Sequence, residues 1–116
     1  MTLPRQNRLR IGERLEEVKE KGQMLQSDNF GARVLKRIDD DRYSRFAFII
    51  STKISKLAVH RNRVNRAFSE SIRRLLTEIS GGYDFVFLAK KTITKKTTDE
   101  INEEVKNFLL HSKYRK

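Results

Sequence analysis

Apolar residues recur along this chain with two periods, and the switches between them divide it into elements. From about Gly12 to Lys21 the period is helical, with Ile11, Leu15 and Val18 on one face and Glu and Lys on the other. Gly22 supplies a natural C-terminal stop. The period then shortens to two. Over 30–38, Phe30, Ala32, Val34 and Ile38 share one strand face while Arg33, Leu35 and Arg37 share the other. Over 45–51, Phe46, Phe48 and Ile50 oppose Ala47 and Ile49. Asp39, Asp40 and Asp41 lie between and read as a turn. The spacing therefore predicts a hairpin of adjacent antiparallel strands, with a shorter strand near Met24–Gln26 ahead of it.

A longer helical stripe follows. Val64, Phe68, Ile72, Leu75 and Ile79 are three or four residues apart and predict a helix from near Val59 to the Gly81–Gly82 pair. Asn62, Arg66, Ser69 and Arg73 line its opposite side, and Arg63, Glu70 and Arg74 form a flanking row in which Glu70 and Arg74 are one helical turn apart. The segment 83–89 is nearly all apolar, as a central strand covered on both faces should be. Thr97 and Glu100 form a capping-box pair opening a last helix buried through Ile101, Val105, Phe108 and Leu109. The order α-β-β-β-α-β-α predicts an α+β two-layer sandwich, helices packed on an antiparallel or mixed sheet. At 116 residues it reads as a single domain, with a basic, loosely ordered arm over 1–10 and a basic tail over 113–116.

Charge changes the picture most. The formal net charge is +11, so the fold calls for a polyanionic partner. The excess concentrates on the long helix, where Arg61, Arg63, Arg66, Arg73 and Arg74 face one local acid, Glu70, with Lys56 just ahead of the helix. A merely solvated helix face mixes signs and gains from opposite pairs, whereas this one retains repulsion. Arg presents a planar fork of donors that fits phosphate oxygens. Nucleic acid is the partner this pattern favours.

Other chemistries find little support. There is no cysteine, which excludes disulfides and thiol catalysis and fits a cytoplasmic protein. No apolar run is long enough to cross a bilayer, no signal-peptide pattern opens the chain, and His60 and His111 alone make a poor metal site. Asp39–Asp41 resembles a metal cluster but suits a turn between strands. No carboxylate pair sits beside a histidine, and no Gly-rich phosphate loop follows a strand. Phe46 and Phe48 could stack single-stranded bases, although core packing is the commoner fate of such rings.

The run from Phe48 to Arg66 closely resembles the signature of the protein subunit of bacterial ribonuclease P. Its hallmark Arg-Asn-Arg is matched by Arg61, Asn62 and Arg63, the Ser and Lys ending the preceding strand by Ser51 and Lys53, and the lysine before the motif by Lys56. The opening residues 3–10 and Gly82-Tyr83-Asp84 leading into an apolar strand are also similar to the family.

The resemblance implies a sheet with a left-handed βαβ crossover, a ribosomal protein S5 domain 2-like fold. It further implies removal of the 5′ leader of precursor tRNA by a holoenzyme whose catalyst is an RNA with bound magnesium, the protein itself binding no metal. The protein would dock on that RNA through Lys53, Lys56, Arg61, Asn62, Arg63, Arg66 and Arg73. It would hold the single-stranded leader in a cleft between the sheet and the first helix, for which Lys19, Phe30, Arg33, Phe46 and Phe48 are candidates. No membrane and no obligate protein partner is implied. Asn65 and Ser69 stand where the family often carries basic residues, and Leu15 and Lys19 stand where it tends to place aromatics, leaving Lys19 to meet a leader phosphate. Two rival readings remain open at this point: a ribosomal-type structural RNA-binding protein without associated activity, and, more weakly, a DNA-binding regulator, for which no helix-turn-helix spacing is present.

Overall fold

The computed structural model of the chain describes residues 3–10, 12–39 and 42–116. Three helices, α1 (Glu13–Lys21), α2 (Ala58–Leu75) and α3 (Thr98–Leu110), pack around four strands, β1 (Gln23–Gln26), β2 (Phe30–Lys36), β3 (Arg45–Ile49) and β4 (Tyr83–Ala89). The α+β order matches the expected one. Ile11, Asp40 and Asp41, which carried expectations above, lie outside the described residues.

The sheet corrects one expectation. Its order is β1-β2-β4-β3, so β2 and β3 are not hairpin neighbours; β4 lies between them, antiparallel to β2 and parallel to β3. The reason lies in composition. β4 is the most apolar strand, and only a central position covers both its faces: Phe85, Val86 and Phe87 are all fully buried. A parallel β3–β4 pair needs a long crossover, and α2 supplies it.

Strand alternation sorts side chains onto two sheet faces. One carries Phe30, Ala32, Val34, Phe46, Phe85 and Phe87 against Val64, Phe68 and Ile72 of α2 and Ile101, Val105 and Leu109 of α3. The rings interlock, with Phe30 edge-on to Phe68 at 5.5 Å and Phe46 stacked on Phe85 at 4.8 Å. The other face carries Val86 under Leu9 of the arm and Leu15 and Val18 of α1, with Leu35, Ala47, Ile49 and Leu88 only half-buried beside them. Ile38, expected on the buried face, stands beyond the end of β2 and is 84% exposed.

The N-terminal arm is ordered along the free edge of β3. Leu3 and Leu9 are buried, Leu9 N–H donates to Phe46 O at 2.9 Å, and Asn7 Nδ2 donates to Ser44 O at 2.8 Å. An edge strand presents unpaired backbone groups, and two leucines pin the arm where it can meet them. The long helix ends sooner than its stripe suggests. α2 stops at Leu75, a 3-10 turn covers Leu76–Glu78, and Ile79 stays buried by pairing with Arg115 of the tail. The tail is further tied by Ser80 N–H to Tyr114 O at 2.7 Å and by buried Tyr114, whose hydroxyl donates to Gln23 Oε1 at 2.7 Å. The capping box of α3 forms as expected, Glu100 N–H donating to Thr97 Oγ1 at 3.1 Å and Thr97 N–H to Glu100 Oε1 at 2.9 Å.

Candidate nucleic-acid interface

The first two turns of α2 project from the body because only one side of them is greasy. Val64, Ala67 and Phe68 are buried against the sheet, so Asn62, Asn65 and Arg66 are left in solvent and, with Val59, line a shallow groove. Val59 and the N-capping Leu57 are themselves more than half exposed. Arg66 has no hydrogen-bond or ion-pair partner among the described residues, and neither have Lys53 and Lys56 in the preceding loop.

The two motif arginines behave differently from Arg66. Arg61 Nη1 donates to Ser55 O at 2.7 Å, closing the loop that carries Lys53 and Lys56 onto the helix. Arg63 donates in the other direction, from Nη1 to Lys96 O at 2.9 Å and from Nη2 to Thr94 O at 3.1 Å. Both are half-buried, while Asn62 between them is exposed. The motif therefore clamps a flanking segment on each side of an open crest. Farther along, Glu70 and Arg74 pair as the spacing predicts. Ser69 is buried, and Arg73 is half-buried with an Nε that is closed to solvent and makes no hydrogen bond. The row that begins in solvent at Asn62 thus closes before it reaches the helix end.

The proposed leader residues separate onto opposite sheet faces. Phe30 and Phe46, at 0% and 2% exposed, belong to the core under α2 and α3, and Phe48 stacks on Phe68 at 5.5 Å on the same side. A base cannot reach the rings of Phe30 and Phe46 without displacing a helix, so these two are corrected from cleft to core, while Phe48 is half-buried beside them and faces away from α1. The face toward α1 holds Arg33, whose Nη1 donates to Gly22 O at 3.1 Å, and half-buried Lys19 on the helix itself, 3.8 Å from Glu16. α1 covers β2 and β4, leaving Ala47, Ile49 and Leu88 as a half-open apolar floor. Alternation along 45–49 had already grouped Ala47 with Ile49 on that side.

At one end of this trough sits an ionic knot no motif announced. Asp84 of β4 is fully buried; its Oδ2 accepts from Arg14 Nε of α1 at 2.8 Å, and Arg45 of β3 donates Nε to Oδ1 at 2.7 Å and Nη2 to Oδ2 at 2.8 Å. Arg14 also bonds Lys36 O at 2.7 Å and pairs with Glu17. One buried carboxylate thereby fastens α1 to two strands.

Two further acids are likewise occupied. Asp39 accepts from Arg37 Nε and Nη2 at 2.9 and 2.6 Å, and these bonds lower its carboxyl to about 2. Glu104 of α3 is partly desolvated, which alone would raise its pKa. Bonds from Asn29 and Ser27 of the β1–β2 turn outweigh that and hold it low. Among the described residues no group of three or more His, Asp or Glu could hold a metal ion. No helix among them is long and apolar enough to cross a membrane.

Comparison with known proteins gives consistent matches. A family profile described as Ribonuclease P matches residues 3–113. The chain is 33% identical over 112 residues to the ribonuclease P protein component of a Pseudanabaena species, covering 96% of this chain and 95% of that one. The corresponding protein of Bacillus mycoides is 32% identical over 111 residues, with 94% and 90% covered. In fold, the chain is similar to the RNase P protein of Staphylococcus aureus, with a TM-score of 0.84 at 20% identity covering 95% and 98% of the two chains. The Thermotoga maritima RNase P protein superposes with a TM-score of 0.80 at 24% identity over 91% and 97%.

Proposed function

The chain belongs to the ribonuclease P protein family, the protein component of the endoribonuclease that processes the 5′ end of precursor tRNA, and from that premise we propose that its contribution is electrostatic and positional. Asn62 and Arg66 on the open crest of α2, with Lys53 and Lys56 beside them and Arg73 farther along, contact the phosphates of the catalytic RNA. Arg61 and Arg63 brace the segments on either side. The single observation that carries this reading is the cationic crest itself: an exposed guanidinium on a rigid helix with no carboxylate partner among the described residues.

The trough between α1 and the sheet then takes the single-stranded leader, with Lys19 and Arg33 meeting phosphates and Ala47, Ile49 and Leu88 meeting the flat faces of bases. A mature tRNA lacks the leader and gains nothing there, so the precursor binds preferentially. Hydrolysis requires a metal-activated water, and we assign that magnesium to the RNA, whose phosphate oxygens are suitable hard ligands. Among the described residues, Asp39 is engaged with Arg37, Asp84 with Arg14 and Arg45, and Glu104 with Ser27 and Asn29. The reading places the protein in the cytoplasm and requires no membrane and no further protein.

Reconstitution tests it. The chain is mixed with a bacterial ribonuclease P RNA at low magnesium, and cleavage of precursor tRNA is followed. Cleavage and precursor affinity should rise over those of the RNA alone, while affinity for mature tRNA should change little. An unchanged rate together with unchanged precursor affinity refutes the reading.

A further inference from the structure

We propose that the 3-10 turn Lys91–Lys95 is a second docking segment for the catalytic RNA, and that Arg63 acts by locking this turn to α2. The inference rests on the function proposed above and extends its contact surface to a part of the chain about thirty residues away from the motif.

Residues 90–96 contain four lysines, two in the turn and one flanking each end of it, and the segment is pinned from three sides. Ile93 is fully buried in the core below it. Lys90 is drawn inward, its Nζ donating to Ser27 O at 2.6 Å. Arg63 grips the far end through Thr94 O and Lys96 O. Inside the turn, Ile93 N–H donates to Lys90 O at 3.0 Å, Thr94 Oγ1 to Lys91 O at 3.1 Å, and Lys96 N–H to Ile93 O at 3.1 Å. A segment so constrained cannot spread its charges apart. Yet Lys91 and Lys95 are exposed, and neither side chain has a hydrogen-bond or ion-pair partner among the described residues. Rigidly held, unneutralised like charges cost free energy in the isolated protein and gain it back against a polyanion.

Arg63 supplies the link. Its two clamp bonds go to backbone carbonyls at the C-terminal end of the turn, where a cation is favoured, and so do not serve phosphate. A guanidinium can bridge two carbonyls with one planar fork; an ammonium cannot match that geometry. The motif helix and the lysine turn therefore form one surface, with Arg61 fastening the Lys53–Lys56 loop on the opposite flank. Two segments gripping the RNA fix the protein's rotation about α2, which a single helix could not do.

The test measures affinity of the full chain for the ribonuclease P RNA across a salt series. The double variant Lys91→Ala/Lys95→Ala should bind at least about tenfold more weakly, with the slope of log K against log salt reduced by roughly 1.4–1.8. A control pair, Lys106→Ala/Lys113→Ala, removes equal charge from and just beyond α3 and should lose less than about threefold. Arg63→Ala should match the lysine double variant, and adding it to that variant should cost under about twofold more. Arg63→Lys, keeping charge but losing the fork, should bind no better than Arg63→Ala. If the wild type itself fails to bind the RNA with a steep salt slope, the function proposed above is wrong. If the wild type binds so but Lys91→Ala/Lys95→Ala binds equally well, or no worse than the control pair, the second docking segment is refuted and the first reading stands. Full rescue by Arg63→Lys overturns the clamp.

Discussion

Replacing Asp84 by Asn should unseat α1 and, with it, recognition of the leader. The carboxylate accepts three charge-assisted bonds at 2.7–2.8 Å from Arg14 and Arg45 while fully buried. Asn keeps one acceptor oxygen but turns an N–H donor toward a guanidinium donor, and it leaves two arginines without their shared counter-charge. Removing one partner of a buried ion pair costs about 3–5 kcal/mol. Arg14 and Arg45 retain 19% and 26% side-chain exposure, so water relieves part of the loss, and the lower end, about 3 kcal/mol, applies. That is a large share of the roughly 5–15 kcal/mol by which a domain is stable. In urea, with an m-value of about 1–3 kcal/mol/M, the midpoint should fall by about 1–3 M with m unchanged. In the reconstituted enzyme, below the transition, Asp84→Asn should narrow the preference for precursor over mature tRNA while affinity for the catalytic RNA persists, since α2 is untouched. A loss below about 0.5 kcal/mol would refute the knot as the tether of α1. An intact leader preference after a full loss of stability would show that seating α1 does not govern the cleft.

Other expectations follow from the same geometry. Arg66→Ala should weaken binding to the catalytic RNA by about 1–3 kcal/mol with thermal stability little changed, because the exposed side chain makes no hydrogen bond or ion pair among the described residues; a variant that binds normally would remove the crest from the interface. Gly81→Ala should cost about 2 kcal/mol and several degrees of Tm, since its Cβ would lie 1.9 Å from Arg42 O; an unchanged Tm would mean that the 42–44 segment moves freely. Asp39, held at about 2 against an ordinary 3.8, and Glu104, held below its ordinary 4.5, stabilise the fold above about pH 5 and lose that contribution as pH falls through 4 toward 2. Glu104→Gln should flatten the fall of Tm between pH 5 and 2, and an identical profile would show that its bonds to Ser27 and Asn29 add no pH-dependent stability.

Residue order alone determined the elements, because each is written in a local period. The stripe Val64–Phe68–Ile72–Leu75 is buried as its spacing demands, the Thr97–Glu100 pair caps α3, and the run 83–89 is an interior strand. The Arg-Asn-Arg motif with its flanks, similar to a known family, identified the cationic end of α2. Three-dimensional packing decided what no local period encodes. Placing β4 between β2 and β3 follows from covering the most apolar strand on both faces, a global requirement that overrode the economical hairpin. The same choice sent Phe30, Phe46 and Phe48 to the helix side, because which of two alternating faces meets α1 depends on the other layer. It also brought Arg14, Arg45 and Asp84 together from three separate elements, and Arg63 onto carbonyls some thirty residues distant. A charge count cannot tell a guanidinium bonded to backbone carbonyls from one left open to solvent; only the positions of the acceptors can.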